Sequence, residues 1–268
     1  MLAFKSVYFA YEDNDWVLRD LNFEIGEGEF VSIIGCNGSG KSTIARLSSG
    51  LLVSQKGEVS VDGDSFSDPS QVRNARKKVG IVFQNPDNQF IGMTVEEDIA
   101  FGLENYNVDR VEAHRRVEEI SSSFKIDKYL KFPPSMLSGG EKQKVAIASV
   151  LALYPKYLVL DEITSLLDPQ SRLEILEFVR FIAHERKISL LYITHNPEEA
   201  VTSDKMIVIS EGKAMFDGPP LEIFKNVPLL ENIGVSVPGE ASISYKLKEA
   251  GLLKDIYFDS KEIIRNLC

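Results

Sequence analysis

The sequence predicts an α/β fold, a mostly parallel sheet with helices around it. Three observations predict it. Short apolar runs alternate with helical stretches along the chain. One such run, FVSII at residues 30–34, leads through a glycine-rich loop directly into a helical stretch. Another, YLVL at residues 157–160, ends in the two carboxylates Asp161 and Glu162.

Residues 2–8 and 17–25 roughly alternate apolar and polar, as half-buried strands do, with the polar turn AYEDND between them. The helix after the glycine loop runs to about residue 49. Residues 58–61 and 79–83 are further strands, and Asp62-Gly63 is a turn signal. From Pro86 to Pro155 the pattern is mainly helical. Thr94 caps a helix there, with Glu97 placed for a capping box, and Asp109 caps the next. Ser138 stands before a helix over residues 139–153. A strand at 157–160, a helix at 169–186 and a strand at 189–194 follow. Residues 205–210 and 213–216 flank Glu211-Gly212 as a hairpin. From Val227 the character shifts. Val237-Pro238-Gly239 breaks the chain, and short amphipathic helices are expected near 241–250 and 260–266, as a small C-terminal appendage.

The 268 residues are 44% hydrophobic and 26% charged, enough to bury a full core. No apolar run reaches the ~18 residues a membrane-spanning helix needs. The N-terminus reads as a first strand and not as a signal peptide, so a cytoplasmic chain is expected. A net charge of −10 argues against generic binding to nucleic acid or anionic lipid. Two cysteines, Cys36 and Cys268, without a CxxC pair, argue against a disulfide framework or zinc site.

Gly35-Cys36-Asn37-Gly38-Ser39-Gly40-Lys41-Ser42-Thr43 fits GxxxxGK followed by Ser or Thr. Its backbone N–H groups and the helix N-terminus suit phosphates, because both present unpaired donors. Lys41 is placed for the β- and γ-phosphates and Ser42 for Mg²⁺. Asp161 and Glu162 stand at a strand's C-terminal end, where α/β sheets bind ligands. Asp161 is expected to hold Mg²⁺ through water, and Glu162 to orient or deprotonate the attacking water. Leu137-Ser138-Gly139-Gly140-Glu141 opens a helix with a serine and two glycines, a second anion site.

At that stretch the chain resembles the ATP-binding cassette (ABC) ATPases, whose signature is LSGGQ; Glu141 stands where Gln is usual. The resemblance covers about residues 1–225. It implies a P-loop NTPase fold with a RecA-like core, an antiparallel β subdomain and a helical signature subdomain at about 86–155. The ATPase domain is expected to span 1–226, and the appendage, 227–268, to contact a dimer partner. The resemblance also implies that ATP is shared head-to-tail between two chains, Ser138–Glu141 acting on the partner's nucleotide. By it, Gln84 contacts Mg²⁺, His195 touches the γ-phosphate, Asp168 crosses the dimer interface and Tyr11 stacks on adenine. A helix N-cap before Pro169 is the competing reading of Asp168, and an ordinary core or surface tyrosine that of Tyr11. Ile163, Leu166 and Asn196 depart from the usual pattern without removing a functional group. Cys36 is either an ATP-protected thiol or an inert small residue.

VFQNPDNQF at 82–90 and TVEEDIAFG at 94–102 look like the ATPases of energy-coupling factor (ECF) transporters. That likeness implies a second ATPase subunit, often a paralogue, and a transmembrane T component. A separate S component captures vitamins, or cobalt and nickel in related systems. The chain is then peripheral at the cytoplasmic face of the membrane, held by protein partners. Glu96, Glu97 and Asp98 are expected to line the groove for an Arg-bearing coupling helix, or else to form a solvated helix face. The alternatives are another ABC transporter class, or a non-transport ABC protein of the kind that carries coiled coils, fused halves or basic surfaces.

Overall fold

The computed structural model describes residues 1–12 and 15–267; Asp13 and Asn14 of the expected polar turn, and Cys268, lie outside them. Strands β1 (Leu2–Ala10) and β2 (Trp16–Ile25) pair antiparallel. β3 (Phe30–Gly35) leads through the glycine loop to α1 (Lys41–Ser48). β4 (Lys56–Val61) and β5 (Asp64–Ser65) complete an antiparallel sheet in the order β2-β1-β4-β5. Then α2 (Val72–Lys78) runs into β6 (Val79–Val82). A helical layer follows: α3 (Val95–Asn105), α4 (Arg110–Ser123) and α5 (Gly139–Leu151). β7 (Tyr157–Asp161), α6 (Pro169–Arg186), β8 (Ser189–Ile193) and α7 (Pro197–Ala200) return the chain to the centre. β9 (Lys205–Ser210) and β10 (Lys213–Gly218) form the hairpin. Last come α8 (Pro220–Phe224), α9 (Val227–Asn232), α10 (Gly239–Glu249) and α11 (Ser260–Asn266).

The second sheet runs β10-β9-β3-β8-β7-β6. All its pairs are parallel except β10 with β9. Every residue of β3, β7 and β8 is buried, which explains why their sequences are mostly apolar and do not alternate: layers cover both faces. The pleat divides them. Val159, Leu191 and Ile193 pack with α1 and the antiparallel sheet, where Phe4 stacks on Phe23 at 4.4 Å between ring centroids. Leu158, Leu160, Leu190 and Tyr192 face the opposite core, with Ile99, Val117 and Ile147 of the helical layer and Val179 of α6. On β9, Met206 and Val208 point toward Phe224, Leu230 and Val235, so the C-terminal segment shares a core with Ile34 of β3.

The expected capping box is present at α3, and α5 carries a second that is not anticipated. Thr94 caps α3 with Glu97, and Ser138 caps α5 with Glu141. Asp109 caps α4 through the N–H groups of Val111 and Glu112. Most expected elements are found within one or two residues of their expected ends. Five are not anticipated: β5, α2, α7, α8 and α9. They are short or buried at few positions, so no apolar period marks them; α2 buries only Ala75. β6 ends at Val82, one residue short of its expected end, and Gln84 follows two residues later. α5 stops at Leu151 because Tyr154 takes a left-handed φ of 54° before Pro155.

Candidate active site

β3 ends at Gly35 and α1 begins at Lys41, so the glycine loop turns within five residues. Gly40 permits that turn. Its φ is +104°, and a Cβ there would stand 2.6 Å from Leu18 Cδ2. Lys41 is almost wholly buried, and its Nζ donates to Gly35 O and Cys36 O, both at 2.9 Å. Burial lowers its pKa; Glu162, Cys36 and Asp161 act against that. Ser39 is buried behind the loop, its Oγ without a hydrogen-bond partner among the described residues.

Ser42 Oγ donates to Asp161 Oδ1 at 3.3 Å. Burial raises the Asp161 pKa; Ser42 opposes the rise and Glu162 adds to it. Glu162 adopts a left-handed φ of +51°, its N–H donating to Ile193 O at 2.9 Å. Among non-glycine residues that conformation is uncommon, and here it accompanies a carboxylate that lines the cleft. Gln84 Nε2 donates to Glu162 Oε2 at 3.1 Å and to Ser165 Oγ at 3.0 Å. His195 Nδ1 lies 3.5 Å from the same carboxylate oxygen. The C-terminal ends of β6, β7 and β8 thus bring three side chains to one point beside the glycine loop.

The cleft they share has a volume of about 800 Å³. Gly35, Asn37, Gly38, Gly40, Lys41, Ser42 and Thr43 line it, with Gln84, Glu162, His195 and Cys36. Tyr11 stands at its edge with its ring half exposed; its hydroxyl shares a hydrogen with Thr43 Oγ1 at 3.2 Å and accepts from Arg46 at 3.1 Å. Ser42 and Asp161 offer hard oxygen donors, the kind Mg²⁺ takes alongside water and phosphate. Among the described residues no group of three or more His, Cys, Asp or Glu could hold a metal by itself.

Several features escape sequence reasoning. Gly234, Val235 and Ser236 of the C-terminal segment line the same cleft. Buried Glu199 accepts from Tyr192 Oη at 2.6 Å, Thr164 Oγ1 at 2.9 Å and Thr194 Oγ1. That carboxylate ties the turn after Glu162 to the loop carrying His195. No spacing in the sequence announces either feature, because both depend on contacts between distant segments.

Ser138, Gly139, Gly140 and Glu141 do not line this cleft. Ser138 N–H and Oγ donate to Glu141 Oε2 at 2.9 and 2.8 Å, and Tyr129 donates to its other oxygen. Tyr129 first, then Ser138, hold the Glu141 carboxyl below its ordinary range. Asp168 is the N-cap of α6, accepting from Gln170 N and Ser171 N at 3.1 and 3.0 Å. A separate groove of about 410 Å³ on the helical layer is lined by Ile91, Met93, Glu96, Glu97, Phe101 and Glu104. Asp98 does not join it, contrary to expectation. It is buried, accepting from Ile91 N, Gly92 N and Ser149 Oγ at 2.8, 3.2 and 3.1 Å, so it shapes the loop instead of facing a partner.

The ABC transporter family model matches residues 18–165. The energy-coupling factor transporter ATP-binding protein EcfA1 of Geobacillus kaustophilus is 42% identical over 100% of this chain and 96% of its own length. Its counterpart from Oceanobacillus iheyensis is 45% identical over 94% of this chain and 90% of its own. Among solved structures, cbiO1 of Clostridium perfringens, part of the ABC transporter complex cbiONQ, superposes with a TM-score of 0.78 at 30% identity, covering 92% of this chain and 98% of that one. A dimeric ATP-binding cassette in a post-hydrolysis state, bound to ADP and Pi, gives 0.73 at 28% identity, over 82% of this chain and 99% of that one. A glycine loop facing a strand-end Asp-Glu pair, carried on a fold and a sequence shared with these proteins, places the chain in the ABC transporter family, as an ATPase of the energy-coupling factor type.

Proposed function

We propose that this chain binds Mg-ATP in the cleft at Gly35–Thr43 and hydrolyses it there to power ECF uptake of vitamins or other micronutrients. One observation carries the catalytic assignment: the Glu162 carboxylate is held between Gln84 and His195, beside Lys41 and the Ser42–Asp161 pair. Lys41 exchanges the Gly35 and Cys36 carbonyls for the β- and γ-phosphates. Glu162 takes a proton from, or orients, the attacking water. His195 meets the γ-phosphate, and Tyr11 stacks on the adenine. Ser42, Gln84 and Asp161, the last through water, are the residues that would hold Mg²⁺, which supplies charge neutralisation at the phosphates.

The cleft leaves one side of a bound γ-phosphate to be covered by another chain. Ser138–Glu141 of a second ABC ATPase subunit, by preference a paralogue, fits that place, with Asp168 at the shared interface. The groove beside Glu96 and Glu97 suits a basic helix of the membrane-embedded T component, while the S component captures cargo elsewhere. Attachment at the cytoplasmic face runs through these partners; no described helix is long and apolar enough to cross a membrane. The division into an ATPase domain, 1–226, with helical subdomain 86–155 and appendage 227–268 belongs to the same reading. Glu162→Gln is expected to retain ATP binding while losing roughly 10²–10⁴ in turnover. Phosphate release at the normal rate from that variant ends the assignment. Lys41→Ala should weaken ATP binding in calorimetry, and unchanged affinity counts against the cleft.

A further inference from the structure

The C-terminal segment reaches the nucleotide cleft from a direction the glycine loop leaves open. After α9 the chain turns back, Gly234 N–H donating to Glu231 O at 3.0 Å and Val235 N–H to Leu230 O at 2.9 Å. Val235 is buried with Ile34, Met206 and Val208, which fixes the segment against the end of β3. Its neighbours Gly234 and Ser236 are exposed and line the cleft. Gly234 has a φ of +73°, and a Cβ built on it would stand 3.6 Å from Cys36 Cβ. On the far side, Gly239 N–H donates to Glu198 Oε1 at 3.1 Å, close along the chain to His195. The segment therefore spans from the glycine loop to the loop that carries the histidine. Ser236 makes no hydrogen bond among the described residues, leaving its N–H and hydroxyl as donors at the cleft wall.

We propose that residues 234–236 are part of the nucleotide site: they wall the cleft on its Cys36 side and contact the bound nucleoside triphosphate. This rests on the ATPase reading and extends it. Because contact is mutual, ATP binding and the seating of the appendage stabilise each other by the same factor. The glycine at 234 keeps the wall thin, so the loop at Cys36 retains room to shift as the polyphosphate enters.

The 3.6 Å approach lies in the span of about 3.5–4.5 Å that a disulfide bridges between Cβ atoms. Gly234→Cys, made with Cys268→Ser so that Cys36 is its sole possible partner, is oxidised under mild conditions and titrated with a non-hydrolysable ATP analogue by calorimetry. The expected result is an intramolecular disulfide and at least fivefold weaker binding, restored by reductant in the same sample. Absence of the disulfide, or a disulfide with unaltered affinity, overturns the proposal. Ser236→Tyr provides a second reading that does not depend on a side chain at positive φ. It is expected to weaken binding at least tenfold with the nucleotide-free Tm unchanged, and wild-type affinity in that variant also overturns the proposal. The unsubstituted chain is titrated alongside: its failure to bind the analogue refutes the ATPase reading itself.

Discussion

Glu141 stands at the N-terminus of α5. It closes the α5 capping box through Ser138 N–H and Oγ and takes a further bond from Tyr129, which keeps it ionised. A charge at a helix N-terminus contributes about 0.3–1 kcal/mol. The same charge repels the γ-phosphate that the proposed dimer brings to this helix end. Glu141→Gln should therefore slightly lower the Tm and yet raise the affinity of ATP-driven dimerisation severalfold, read by static light scattering against ATP concentration. Weaker dimerisation in this variant would show that the carboxylate acts as a ligand and not as a brake.

At the scale of elements, caps and latches fix where helices begin and how the two sheets sit together. Thr94 Oγ1 accepts from Glu97 N–H, and the Glu97 side chain returns to Thr94 N–H at 3.2 Å. Removing the hydroxyl in Thr94→Ala should cost about 1 kcal/mol. That corresponds to a Tm lower by about 2–4 °C, measured by calorimetry. Asp62, at the turn between β4 and β5, joins the antiparallel sheet to the start of β7. It accepts from Lys156 Nζ at 3.0 Å, Tyr157 Oη at 2.9 Å and the Met1 ammonium at 2.6 Å. Burial pushes its pKa up, but these bonds outweigh burial and hold it well below the usual carboxylate range. A depressed folded pKa contributes stability above the unfolded value of about 4, lost as pH falls toward the folded one. Asp62→Asn should thus be less stable at neutral pH and lose less of its remaining stability between pH 5 and the acid limit than the parent. Parallel urea melts across that range check both.

At the scale of the molecule, Ser138–Glu141 and Asp168 do not line the chain's own cleft; in the proposed function a second subunit supplies its copies of them. The groove at Ile91, Met93 and Phe101 exposes apolar side chains beneath a rim of Glu96, Glu97 and Glu104, a surface for a basic apolar helix. Glu97 is unsuited to testing it, because reversal there breaks the α3 cap. Glu96→Lys with Glu104→Lys spares the cap, and the exposed Glu96–Lys131 pair it removes is worth about 0–1 kcal/mol. This variant is expected to keep ATP binding while losing most co-purification with the membrane subunits. Full recovery of the complex would make the rim a solvated helix face.

The sequence by itself determined the features written within a few consecutive residues. The glycine loop between β3 and α1, the Asp161–Glu162 strand end and the Thr94 and Ser138 caps are local, because strand, turn and helix each impose their own spacing on neighbouring positions. That Gln84, Glu162 and His195 would share one point rested on family resemblance, and their distances come from the register of β6, β7 and β8. Only the tertiary structure decided that Asp98 is buried, that Glu199 ties two loops together, and that Gly234 meets Cys36. Those contacts join residues far apart in the chain, and the packing of apolar side chains such as Val235 selects them. Side-chain periodicity reports which face of an element is covered, but it carries no information about what covers it.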